Sequence, residues 1–225
     1  MVNGKIRWTW RMEYVNLEKC SKNFDNQQVL KEISYSFFAG GYCISGENGS
    51  GKSTLLKMMM GLILPDTGCV TVIGEKSENL SPSVKSQIGY MFSSDRTLYY
   101  KLTARENLEM IGSIYGLKGN HLKDRVSKVL QLVELEDNKK YIETYSTGMK
   151  KRLMLARAIL YNPKVIFLDE PYSGLDERGC HLLTETLENE VSKGKCVIVV
   201  SHQLEYIPSN WKLLSMKKGE LCSGL

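Results

Sequence analysis

Apolar and polar positions alternate from Met12 to Leu17 and again from Leu30 to Phe37. In the second stretch Ile33, Tyr35 and Phe37 share one face, with Glu32, Ser34 and Ser36 on the other. A period of two marks half-buried antiparallel strands, and Asp25-Asn26 supplies a turn between them. Tyr42-Cys43-Ile44 predicts a short buried strand, and Ser53 to Met60 a helix. Pro65-Asp66-Thr67-Gly68 predicts a turn. Val70 to Ile73 predicts a strand closed by Gly74. Ser81-Pro82 opens a short helix with proline at its first position. Ile88 to Phe92 predicts another strand, ending in the polar segment Ser93-Ser94-Asp95.

The period then changes. Thr103-Ala104-Arg105-Glu106 is a capping box, opening a helix that ends near Gly116. Leu122, Val126, Val129 and Val133 fall on one helical face. Tyr145-Ser146-Thr147-Gly148 introduces a helix with Met149, Leu153, Ala156 and Leu160 on one side, and Asn162-Pro163 stops it. Arg152 and Arg157 are polar-face or bridging residues. Residues 94–160 are therefore expected to be mostly helical, inserted between strands. Val165 to Leu168 and Val197 to Val200 are continuous apolar runs, as in strands buried on both faces. They end in Asp169-Glu170-Pro171 and Ser201-His202, and open parallel sheets bind ligands at the carboxyl ends of their strands. Met1 to Arg11 show no clear period and are left unassigned; 12–225 is read as one domain.

Between the Tyr42 strand and the Ser53 helix stands Gly46-Glu47-Asn48-Gly49-Ser50-Gly51-Lys52-Ser53-Thr54. It fits G-x-x-x-x-G-K-[ST], the phosphate-cradling loop of nucleoside triphosphatases. Glycines let successive N–H groups converge on phosphate oxygens where a Cβ would block the approach. Lys52 places a point charge on the β- and γ-phosphates. The Ser53 hydroxyl is a ligand for Mg²⁺, and the helix N-terminus favours an anion. Asp169 is expected to hold Mg²⁺ through its water shell. Glu170 is expected to polarise the attacking water as general base. His202 could hold that water or donate to the γ-phosphate, but a lone histidine after a strand is more often a satisfied structural residue. Phe24, beside the predicted turn, is the candidate ring for stacking on adenine.

Composition narrows the setting. The chain has 225 residues, 42% of them hydrophobic, and a net charge of +5. No apolar run approaches the roughly 20 residues that span a bilayer, and no signal peptide is evident, so a cytosolic chain is expected unless a partner holds it at a membrane. Lysine pairs at 139–140, 150–151 and 217–218 are expected to be solvated faces. Nucleic acid is not expected as a partner, because no aromatic residues interleave with the charge. Six cysteines stand singly, without a C-x-x-C pair, and Cys43 and Cys196 are expected to be buried thiols.

The ordered set is more specific than any member. The phosphate loop is followed by Tyr145-Ser146-Thr147-Gly148-Met149-Lys150-Lys151-Arg152-Leu153, then Val165-Ile166-Phe167-Leu168-Asp169-Glu170-Pro171, Ser173-Gly174-Leu175-Asp176 and Ser201-His202. From about Met12 to Leu225 the chain resembles the nucleotide-binding domain of an ATP-binding cassette (ABC) transporter. The resemblance implies an α/β P-loop NTPase fold with a parallel sheet core. An antiparallel β subdomain would flank the core, with 12–93 and 161–225 forming these parts, and 94–160 would be the helical subdomain carrying the signature. It implies ATP and Mg²⁺ as cofactors, Glu170, His202 and Lys52 as catalytic residues, and Ser53 and Asp169 at the metal. Ser146 and Gly148 match the signature, which in the family caps the γ-phosphate held by the opposing subunit. Ser173 to Asp176 match the loop that reaches across the dimer interface. Two chains would then face head to tail around two ATP molecules, and a separate transmembrane permease subunit would hold the pair on the inner face of the membrane.

Two departures from the family pattern matter. The signature usually begins Leu-Ser-Gly-Gly-Gln, and here it is Tyr-Ser-Thr-Gly-Met; branches that export drugs, antibiotics or peptides often read this way, which favours export. Ser93 stands where the family has a glutamine that helps hold Mg²⁺ and the attacking water. Slower hydrolysis or weaker Mg²⁺ retention, with ATP binding intact, is the expectation. The alternatives are a soluble cassette ATPase serving assembly or regulation, and a nucleotide-gated regulator without hydrolysis. Glu170 and His202 argue against the latter.

Overall fold

The computed structural model describes residues 12–25 and 27–223. Met1 to Arg11 and the Asn26 half of the predicted turn lie outside the described residues. In chain order the strands and α-helices are β1 (Glu13–Phe24), β2 (Gln27–Phe38), β3 (Gly40–Ser45), α1 (Lys52–Met59), β4 (Thr67–Val72), β5 (Glu75–Lys76), α2 (Pro82–Lys85), β6 (Ile88–Met91), α3 (Ala104–Ile114), α4 (Gly119–Leu132), α5 (Thr147–Ile159), β7 (Val165–Asp169), α6 (Glu177–Ser192), β8 (Cys196–Val200), β9 (Lys212–Lys217) and β10 (Glu220–Ser223).

A six-stranded sheet runs β10-β9-β3-β8-β7-β6, and a four-stranded one runs β2-β1-β4-β5. In the larger sheet β9, β3, β8, β7 and β6 are mutually parallel, and β10 is an antiparallel edge. The smaller sheet is antiparallel throughout. Every residue of β7 and β8 is buried, as their unbroken apolar runs require. Their side chains alternate between two cores. Ile166, Leu168, Val197 and Val199 face the layer containing α3 to α6. Val165, Phe167, Ile198 and Val200 face α1 and the antiparallel sheet.

Register sets the level at which each strand delivers its next residue. Ile44 and Asp169 both pair with Val200, and Leu168 pairs with Met91. The ends of β3, β8, β7 and β6 thus form one edge, from which the phosphate loop, Ser201-His202, Glu170 and Phe92-Ser93 all emerge. Helix ends follow local chemistry. Thr103 and Glu106 form the full reciprocal capping box of α3. Ser81, Ser146 and Asp176 each accept an N–H from the first turn of α2, α5 and α6.

Several expectations are corrected. Strands β1 and β2 are longer than their alternating stretches, because bulges interrupt the period. Register shifts fall at Leu17/Cys20 and Cys20/Lys22, with Lys19 at φ 49° and Glu32 at φ 42°. An extra residue puts Cys20 and Ser21 side by side in buried positions, which ends the simple alternation. Thr67 and Gly68 belong to β4 rather than to the preceding turn. Gly68 crosses β1 so closely that a Cβ would lie 2.3 Å from the Glu18 carbonyl oxygen. Ile73 lies beyond β4, in a left-handed pair with Gly74. Finally, the 150–151 lysines are not a solvated face. Lys151 is buried, because α5 packs between the sheet and the segment after β6.

That packing depends on a glycine. A Cβ on Gly89 of β6 would stand 2.1 Å from the Ala158 carbonyl oxygen and 2.8 Å from Pro163 Cγ. Backbone at that range cannot yield as a side-chain tip would. Gly89→Ala should therefore lose about 1–3 kcal/mol, read as a lower urea midpoint at unchanged slope; an unshifted midpoint would show that α5 can move off β6 freely.

Candidate nucleotide site

The loop after β3 turns on glycines in conformations that side chains avoid. Gly46 has φ 150°, and a Cβ there would meet the Met216 carbonyl oxygen at 2.1 Å. Gly51 has φ 105°, with Leu30 Cδ2 and the Val29 carbonyl oxygen within 2.9 Å of where its Cβ would be. Gly49 has φ 80°, and Asn48 beside it is exposed. Helix α1 starts at Lys52 with Gly51 as N-cap and no side-chain cap. Its first-turn N–H groups therefore need an outside acceptor, and the helix dipole favours an anion there. Ser50, in the loop before that cap, is buried, and Thr54, in the first turn, is half-buried.

Lys52 is buried against this loop, and its Nζ donates to the Gly46 carbonyl at 2.7 Å and the Glu47 carbonyl at 2.9 Å. Loss of hydration pushes its pKa below the ordinary lysine value, and the charges of Glu170 and Asp169 act against that shift. The Ser53 hydroxyl donates to Asp169 Oδ1 at 3.1 Å. Glu170, one residue past β7, has φ 46° and donates its N–H to the Val200 carbonyl at 2.9 Å. His202 meets the Glu170 carboxylate twice: Nε2 lies 3.4 Å from Oε1, and the backbone N–H donates to Oε2 at 3.4 Å. Lys52, Ser53, Asp169, Glu170 and His202 thus share one edge of the sheet. Oxygen donors of the Ser53–Asp169 kind suit a hard, partly hydrated cation such as Mg²⁺.

Phe24 ends β1 opposite Gln27, 44% exposed, with Lys22 Nζ 5.6 Å from its ring centroid. The strand after its turn carries Val29 and Leu30, which touch Gly51. Ser93 follows β6, and its carbonyl accepts from Lys151 Nζ at 3.1 Å. A second group of predicted residues gathers elsewhere. Ser146 Oγ accepts the Met149 N–H at 3.2 Å, and Asp176 Oδ1 accepts the Gly179 N–H at 2.8 Å. A Cβ on Gly148 would lie 3.8 Å from Leu175, and one on Gly174 would lie 3.0 Å from Thr147 Cγ2. Among the described residues no hydrogen bond or ion pair joins Ser146, Gly148 or Asp176 to the phosphate loop.

Lys151 was missed as a site neighbour. Besides Ser93 it donates to the Glu170 carbonyl at 3.4 Å. Leu155 and Ala158, four and seven positions on, are buried; that stripe was the available signal.

The model of the ABC transporter family matches residues 30–173. The chain belongs to that family. A Nod factor export ATP-binding protein I from Rhizobium sp. (strain N33) is 34% identical over 85% of this chain and 63% of its own length. The ABC transporter ATP-binding protein NatA of Bacillus subtilis is 32% identical over 86% of this chain and 81% of its own length. The chain thus spans under two thirds of the first relative. A dimeric ATP-binding cassette, MJ0796, in a post-hydrolysis state with ADP and Pi, superposes with a TM-score of 0.83 at 27% identity, covering 92% of this chain and 96% of that one. The P-loop cassette fold, with its parallel sheet, antiparallel β subdomain and helices, is therefore this family's fold.

The loop geometry has a direct test. Gly51→Ala would force a side chain into a left-handed turn against Leu30 and Val29, costing about 1–3 kcal/mol. A lower thermal midpoint and loss of ATP binding are expected; unchanged binding would refute the close approach.

Proposed function

We propose that this chain is the ATP-binding and ATP-hydrolysing subunit of an ABC exporter, working as a head-to-tail pair around two ATP molecules. The observation that carries this reading is the convergence of two pairs, Ser53 with Asp169 and Glu170 with His202, on the edge where the phosphate loop opens. The export-type names of the relatives support the direction of transport.

In this reading the phosphates lie on the N–H groups of Gly49, Ser50, Gly51, Lys52, Ser53 and Thr54. Lys52 leaves its two loop carbonyls for the β- and γ-phosphates. Ser53 and Asp169 would hold Mg²⁺, which when bound neutralises charge on the phosphate oxygens. A side chain as short as Ser93 would reach such an ion only through water. Glu170 takes the proton of the attacking water, and His202 holds the Glu170 carboxylate and the γ-phosphate in line. Phe24 lies under adenine. Ser146 and Gly148 cap the γ-phosphate held by the second chain, and Asp176 belongs to the loop crossing between them. Residues 12–93 and 161–225 act as the catalytic core with its β layer, and 94–160 as the moving helical part.

Among the described residues no helix is long and apolar enough to cross a membrane. A separate permease subunit is part of the proposal and would hold the pair at the inner face of the cell membrane. A largely apolar cavity of about 240 Å³, lined among others by Leu62, Leu80, Lys85, Tyr90 and Phe92, supports that docking. Leu62 of that lining is exposed, as is Tyr99, six residues after Ser93.

Glu170→Gln removes the base while keeping the shape of the side chain. Its phosphate release should fall by about 10²- to 10⁴-fold, and size exclusion should shift from monomer to dimer on adding Mg·ATP. A monomer with ATP bound would sink the self-paired arrangement. Ser93→Gln should raise turnover and relax its Mg²⁺ dependence; identical behaviour to the parent would discard the assigned effect of Ser93.

A further inference from the structure

A second buried cation lies behind the carboxylate pair. Lys151, in the first half of α5, is 6% exposed. Its ammonium has three N–H donors, and two reach the Ser93 and Glu170 carbonyls at 3.1 and 3.4 Å. Burial pushes its pKa down, while the carboxylates of Asp169, Asp95 and Glu170 pull it up. An ammonium in such a place is tolerated only when its charge and donors are met.

Neighbouring cations of α5 grip the same segment. Lys150 Nζ lies 3.4 Å from Asp95 Oδ2 and 4.7 Å from the Tyr100 ring centroid. Arg157 donates to the Thr97 carbonyl at 2.5 Å and to the Tyr90 hydroxyl at 3.1 Å. Among the described residues Lys151 alone of these three cations also reaches Glu170. That residue is in a left-handed conformation, unusual for a side chain of its kind. Its N–H is held by the Val200 carbonyl, and its own carbonyl accepts from the Ser173 N–H at 3.3 Å and from Lys151 at 3.4 Å. His202 meets the carboxylate itself, so its direction depends on these backbone anchors and on His202, and the Lys151 anchor is the one that belongs to the helix capped by Ser146.

We infer that Lys151 is a positioning residue for hydrolysis, tying the Glu170 turn and the end of β6 to the helix that carries Ser146 and Gly148. The inference rests on the function proposed above. It makes the aim of Glu170 conditional on where α5 sits, through charge supplied from the helix rather than by a long side chain at position 93.

The test compares Lys151→Met, which keeps the length and removes the charge, with Lys151→Arg, which keeps the charge. In the methionine variant kcat should fall on the order of 10- to 100-fold, with KM and ATP binding within about twofold of the parent. Arginine should recover most of that loss. Lys151→Gln, which keeps hydrogen-bond donors, should show the same split of kcat from KM as methionine. Unchanged kcat in Lys151→Met overturns the inference. So does loss of ATP binding in proportion to kcat, or failure of both neutral variants to fold, since either makes Lys151 structural only. A parent chain that releases no phosphate overturns the functional reading and this inference together; a hydrolysing parent matched by Lys151→Met overturns this inference alone.

Discussion

The common level at which β3, β7 and β8 end is the constraint on which the site depends. Ile44 and Asp169 flank Val200 in register, so the loop after one strand and the carboxylates after another open on the same edge. A slip of one residue in β7 would turn Phe167 from one core to the other and carry Asp169 away from Ser53. Burial on both faces forbids that slip. The hydrophobic effect thus fixes the spacing between Ser53 and Asp169 through side chains that touch neither.

Charge balance follows from that alignment. The edge gathers uncapped N–H groups of α1 and the ammonium groups of Lys52 and Lys151, with Asp169 and Glu170 as near anions. Each lysine finds two backbone carbonyls. Lys52 is bonded to the rim of the loop itself, which an incoming phosphate can replace. Lys151 is bonded to the frame behind the carboxylates. One buried lysine is bonded to the loop and the other to the scaffold, although both have pKa values lowered by loss of hydration.

Much of this was legible in the sequence, for identifiable reasons. The runs at 165–168 and 197–200 are buried on both faces and carry no other meaning. The Thr103–Glu106 box uses its own side chains to set the start of α3. The phosphate loop needs glycines at spacings that few other structures need. What stayed hidden depends on contacts distant in the chain. The bulges in β1 arise from pairing with two neighbours at once, which alternation cannot reveal. Gly89 is one glycine among nineteen until Ala158 is placed against it. Lys151 sits beside Lys150 in an apparently solvated pair, and only the buried stripe through Leu155 and Ala158 separates them. Roles such as that of Phe24 rest on a ligand that must enter from outside the chain.

Ser146, Gly148, Gly174 and Asp176 lie together, apart from the phosphate loop. These residues form a patch of their own, with Thr147 packed toward Gly174. Within the chain, the described hydrogen bonds connect this region to the phosphate-loop edge through the backbone of α5 and Lys151, not through Ser146. A serine hydroxyl and helix N–H groups on that patch suit an anion. The phosphate loop, with its uncapped helix, suits one as well. On the function proposed above, the fold would present two half-sites for phosphate rather than a single closed one. The proposed head-to-tail pairing is the arrangement that would satisfy both half-sites twice with the same contact surface. It would also place the Thr147 side chain, where the family usually has glycine, at the join between subunits.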